Sequence, residues 1–179
     1  MSKQQFISDD ENFEHKSFEI EGRTIEYKTK IVDKVEQDLL NLSDKDREFI
    51  AYSLVDAEIL LTQLSPEKKL SNYSAQDLDE LVYLWLNKRN SFKLVSEEEF
   101  VYAIGAAFGN CLNQVYGTTW TIISDEYGND FACVSERPVF QTFPFSSIWK
   151  AIEHNREGSL QAIMDLIRKH LNDGSLDHN

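Results

Sequence analysis

Apolar residues near the start of the chain recur at every second position. Phe18, Ile20, Ile25 and Tyr27 alternate with polar residues around Glu21-Gly22, a pattern that predicts a β-hairpin with a weaker turn signal than Asn-Gly. Residues 31–42 carry Ile31, Val32, Val35, Leu39, Leu40 and Leu42 without a clean period and read as an extended or helical connector. From Ser43 the period becomes helical, and three Ser-x-x-acid boxes each announce a helix: Ser43 with Asp46, Ser74 with Asp77, and Ser96 with Glu99. The first helix has one apolar face, running from Phe49 and Ile50 through Ala57 to Leu61 and Leu64, and stops at Ser65-Pro66. The second, with Leu78, Leu81, Val82, Leu84, Trp85 and Leu86, is apolar on more than one side, so it is either covered twice or forms an interface. The third runs to about Tyr116, with Phe100, Ile104, Phe108, Cys111 and Leu112 at helical spacing.

Gly105 and Gly109 lie four apart within that third helix and share a face. Each costs about 1 kcal/mol against Ala in a helix interior, and close approach of another backbone is the physical candidate to offset it. After Gly117 the period returns to two. Thr119 to Ser124 and Phe131 to Val134 read as strands, joined by the connection Asp125-Glu126-Tyr127-Gly128-Asn129-Asp130, and Val139 to Phe143 reads as a third strand. Ser146 or Ser147 is expected to cap a following helix, Gly158 breaks it, and Leu160, Ile163, Met164, Ile167 and Leu171 mark a last amphipathic helix. The expected fold is α+β, with a small antiparallel sheet packed against several helices in one domain over 16–171. An acidic arm over 1–15 and a polar tail over 172–179 flank it.

The order of Gly105, Phe108 and Gly109, then Trp120, then Asp125, Glu126, Tyr127, Gly128 and Asp130, then Phe143, Pro144 and the helix from Ser146, resembles an uncharacterised bacterial family: the domain of unknown function numbered thirty-eight hundred and six. The resemblance covers roughly residues 45–155 and is strongest after residue 100. It implies the α+β fold and brings no catalytic residues.

Composition narrows the function classes. Hydrophobic residues make up 41% and aromatics 12%, enough for a packed core. No apolar run approaches the roughly 20 residues needed to span a bilayer, and the first ten residues turn acidic at once, so a cytoplasmic protein without membrane contact is expected. The net charge of -13 opposes binding to nucleic acid, because a phosphate backbone repels such a surface. The same charge either keeps the protein soluble or attracts a basic protein partner. Cys111 and Cys133 lie in apolar patterns and read as buried, reduced residues.

Asp125, Glu126 and Asp130 form the densest acidic cluster near an ordered motif. An EF-hand loop needs oxygen ligands at positions 1, 3 and 5 with glycine at 6, whereas Tyr127 stands third and Gly128 fourth. His15, His154, His170 and His178 form no zinc-type spacing, no Cys-x-x-Cys exists, and no metal or cofactor is expected. The turn acids read first as turn chemistry, then as a binding edge, and last as a paired general acid and base. Tyr127, Phe143, Phe145 and Trp149 read as core, or as an aromatic groove for a partner. The leading functional expectation is a non-enzymatic protein-binding module with Asp125, Glu126, Tyr127, Asp130, Phe145 and Trp149 as its contact residues. An immunity- or inhibitor-like protein that masks a basic partner is its specific form. The alternative is a small hydrolase or small-molecule-binding protein that uses the Asp125–Asp130 turn.

Overall fold

The structure, a computed structural model, describes residues 14–20, 22–29, 36–64, 73–92, 94–136 and 139–173. The chain divides into two compact units, Met1–Val35 and Glu36–Asn179. In the first, β1 (Glu14–Ile20) pairs antiparallel with β2 (Arg23–Thr29), placing Phe18 opposite Ile25 and Ile20 opposite Arg23. Gly22, at φ 75°, supplies the left-handed turn residue that closes this hairpin. Glu14 and His15, expected in an arm, are strand residues. The rest of the expected arm over 1–13, the Ser65-Pro66 stop, Pro138 and the tail from 174 lie outside the described residues.

The second unit is α+β. Its sheet has the order β3-β4-β5-β6, all antiparallel: β3 (Asp38–Leu40), β4 (Thr119–Asp125), β5 (Gly128–Glu136) and β6 (Val139–Thr142). The connector is therefore extended where it is described, and it forms the edge strand beside β4. Its helices are α1 (Asp44–Leu64), α2 (Ala75–Asn87), α3 (Glu97–Tyr116), α4 (Pro144–Glu153) and α5 (Ser159–Asn172), with a 3-10 turn over Arg89–Phe92.

All three capping boxes form. The Ser43, Ser74 and Ser96 backbone N–H groups donate to the acids three residues on, at 2.8, 2.8 and 2.7 Å, and the acids' own N–H groups donate back to the serine hydroxyls. The Ser43 hydroxyl and then its N–H hold the Asp46 carboxyl below its ordinary value, and the Ser96 N–H and then its hydroxyl do the same for Glu99. Helix α2 packs against α3, α4 and α5, so its several apolar sides are covered. Trp85 of α2 lies under Phe100 of α3, ring centroids 4.2 Å apart.

Two buried contacts fix α5. Asp79 of α2 accepts from the N–H groups of Leu160 and Gln161 at 3.0 and 2.8 Å, so a carboxylate from another helix caps the α5 N-terminus. Tyr116, at the end of α3, donates to the Met164 carbonyl at 2.7 Å.

Candidate functional site

The glycine pair sets the geometry of the sheet-facing side. A Cβ at Gly109 would overlap the Trp120 indole, and one at Gly105 would lie 3.0 Å from the Phe145 Cα and inside its ring. The close approach is therefore real: the α4 backbone and ring at Phe145 make it at Gly105, as expected, and the Trp120 ring of β4 makes it at Gly109. Trp120 and Phe145 stack at 5.4 Å and 24°, and Phe49, Tyr102 and Phe131 close around Phe145 at 5.6–5.8 Å. Phe145 is 5% exposed and belongs to this cluster, whereas Trp149 is 39% exposed.

The β4–β5 connection is tighter than the six residues expected. Asp125 pairs with Gly128, so only Glu126 and Tyr127 form the loop, and Asp130 lies in β5 opposite Ile123. Asp125 accepts from the Tyr127 backbone N–H at 2.9 Å and from the Gln37 amide at 3.3 Å. Glu126 hydrogen-bonds the Tyr127 phenol, which raises its pKa, and Tyr127 is 71% exposed. Asp130 is turned elsewhere: it accepts from the Ser146 hydroxyl at 2.6 Å. The turn acids thus divide, two at an exposed tip and one holding α4.

Helix α4 begins at Pro144, with Phe143 as its N-cap and no side-chain cap. The helix starts earlier than the expected Ser146 or Ser147 cap, because Pro144 at its first position presets φ and has no N–H to leave unsatisfied. The Ser147 hydroxyl instead donates to the Phe143 carbonyl at 2.8 Å.

On the far side of α4 lies a cavity of about 320 Å³ between β6, α4 and α5. Phe140, Phe143, Ile163 and Leu166 supply apolar wall, and Ser146, Ser147, Lys150 and His170 supply polar groups. Burial, then Lys169, lowers the His170 pKa, while Asp173 opposes them. No sequence signal marked Lys150 or His170, since neither has a partner at a recognisable spacing.

The outward face of α1 is a third feature. Tyr52, Val55 and Ile59 are 71%, 54% and 52% exposed, in line at i, i+3 and i+7. Glu48, Asp56 and Glu58 are exposed beside them.

Both cysteines are free and buried. Burial pushes the Cys111 thiol up to about 11, aided by Asp77, and raises that of Cys133, so neither is a ready nucleophile. Among the described residues no group of three or more His, Cys, Asp or Glu could hold a metal ion, and no helix is long and apolar enough to cross a membrane.

A crystal structure of a protein from Bacteroides thetaiotaomicron VPI-5482 is similar, with a TM-score of 0.54 and 13% identity over 88% of this chain and 70% of that one. At that identity the likeness concerns the fold alone. No curated protein matches. The family match begins at the end of α2 and runs into α5, and it takes in both glycines, Trp120, the tight turn and the cavity-lining helix α4. Residues 86–163 match the family model for the Domain of unknown function (DUF3806).

Proposed function

We propose that the protein is a non-enzymatic protein-binding module that takes a basic partner. The observation that carries this reading is the α1 face. Single exposed apolar residues are ordinary, but three in line on one helix face form a stripe of the kind that docks another element. Within residues 48–64 the charges beside it are all carboxylates, and the cations of α1, Lys45 and Arg47, lie in its first turn ahead of the stripe. The hairpin tip repeats the chemistry, with Tyr127 exposed next to the acids Asp125 and Glu126. Trp149 adds a further half-exposed ring. A net charge of -13 steers a cationic surface toward all three. The specific form of the proposal is an inhibitor- or immunity-like protein that covers a basic enzyme or toxin surface.

Stopped-flow association with an amphipathic Lys/Leu helical peptide tests this, with its Glu/Leu counterpart as control. The association rate should fall steeply with salt, as the Debye length shortens from about 10 Å at 0.1 M to about 3 Å at 1 M. Tyr52→Ser with Ile59→Ser should speed dissociation. Equal binding of the acidic peptide would sink the reading.

A further inference from the structure

We propose that the cavity between β6, α4 and α5 binds a small apolar carboxylate that also carries an N–H donor, the combination an N-acylated amino acid presents. This site is separate from the α1 face and does not depend on it. Its volume of about 320 Å³ falls at the small end of ligand pockets, roughly 300–1,000 Å³. Phe140, Phe143, Ile163 and Leu166 offer an apolar side chain a surface to cover.

The polar groups select the rest of the ligand. Lys150 and His170 bring two basic side chains to one cavity in a protein of net charge -13. Lys150 makes no ion pair with any described residue. An anionic group on the ligand would supply that partner.

The serines offer the opposite chemistry. Ser146 donates to the Asp130 carboxylate and Ser147 to the Phe143 carbonyl, and neither acceptor has a proton to give back. Both hydroxyl protons are therefore committed, and each serine oxygen has only lone pairs to offer. Gln141 adds an amide at the cavity edge, with one of its N–H groups donating to Gln37 at 3.1 Å. A ligand must then meet this wall with donors. A phosphate or polyphosphate, whose oxygens are mainly acceptors, would face these serine lone pairs, and among the described residues no glycine-rich loop cradles it. Asp130 acts here as a positioning residue, because it fixes which way the Ser146 proton points.

Calorimetry of the full chain with three probes tests the site: N-acetyl-leucine, N-acetyl-leucinamide and 4-methylpentanoate. The first carries carboxylate and N–H, the second lacks the charge, and the third lacks the N–H. N-acetyl-leucine should bind about tenfold or more tightly than the amide, the worth of one charge-assisted hydrogen bond, and about fivefold more tightly than 4-methylpentanoate, the worth of a neutral one. Lys150→Met, a surface change expected to leave the melting temperature unaltered, should erase the preference for the acid over the amide. Amide shifts in NMR should centre on Phe143, Ser147 and Ile163. The proposal is overturned if N-acetyl-leucine shows no saturable binding up to concentrations on the order of 10 mM. It also fails if the preference survives Lys150→Met, if shifts centre on α1, or if ATP binds more tightly than the acid.

Discussion

Helix α4 has two sides that could hardly differ more. Phe145, Ile148 and Ile152 lie on one, and Phe145 fills the space over Gly105 so closely that even a methyl group would overlap it. Ser146, Ser147 and Lys150 lie on the other, facing a cavity of about 320 Å³. The helix is thus clamped on one side and left with open space on the other. Packing on the first side fixes where α4 lies, and that rigidity lets the second side stay open without the wall collapsing into it.

The two sides were unequally legible in the sequence. A glycine inside a helix is locally unfavourable, so Gly105 and Gly109 signalled a contact before any partner was known. The sequence could not say that a ring makes the contact at Gly109, or which residues meet either glycine, because Trp120 and Phe145 reach them only through the fold. The helix starts were equally readable, since each capping box is complete within four residues. The cavity had no such signal. A void is an absence of atoms between elements distant in sequence, and Lys150 and His170 read as ordinary polar positions. Asp79 escaped notice for the same reason, as its partners are the N–H groups of Leu160 and Gln161.

The sharpest way to break the contrast is to overfill the clamped side. Gly109→Leu should destabilise by about 3 kcal/mol, because the indole of Trp120 is rigid and backed by the sheet. Adding Trp120→Ala should recover part of that loss, a coupling that a thermal-melt double-mutant cycle would detect. A Gly109→Leu variant that melts like the wild type would remove the clamp from the account.

A slightly smaller effect should come from the anchor of the cavity's other wall. Asp79→Ala leaves two buried helix N–H groups without their carboxylate, which should cost about 2 kcal/mol and be read by urea denaturation. Burial raises the Asp79 carboxyl above its ordinary value of 3.8, outweighing the two N–H groups that pull it down. The folded protein then holds that proton more tightly than the unfolded chain does. Stability from this group is full below pH 3.8 and declines as pH rises through the raised folded value, and Asp79→Asn should flatten that part of the profile.

The open side should tolerate what the clamped side does not. Ser147→Leu adds two heavy atoms net into space already present, so its stability change should stay within about 1 kcal/mol. A loss as large as that of Gly109→Leu would mean the cavity is closed to added atoms, and with them to a ligand of the size proposed.

The smallest expected effect on the fold concerns the tip of the β4–β5 hairpin, and here the division among its acids decides what to mutate. Neutralising Asp125, Glu126 and Asp130 together would confound two roles, because Asp130 holds Ser146 while Glu126 is exposed at the tip. Glu126→Gln alone removes a charge without touching α4. Its effect on stability should be within about 0.5 kcal/mol, the usual range for an exposed surface charge. Its effect on the association rate of a cationic peptide should be measurable at low salt and vanish at high salt, since the charge acts through the field and not through a contact. Asp130→Asn should do the reverse, leaving the association rate nearly unchanged while weakening N-acetyl-leucine binding, because an amide can donate to Ser146 and turn its proton into the cavity. If both variants altered the same readout, the tip and the cavity would be one surface, and the two sides of α4 would serve a single partner.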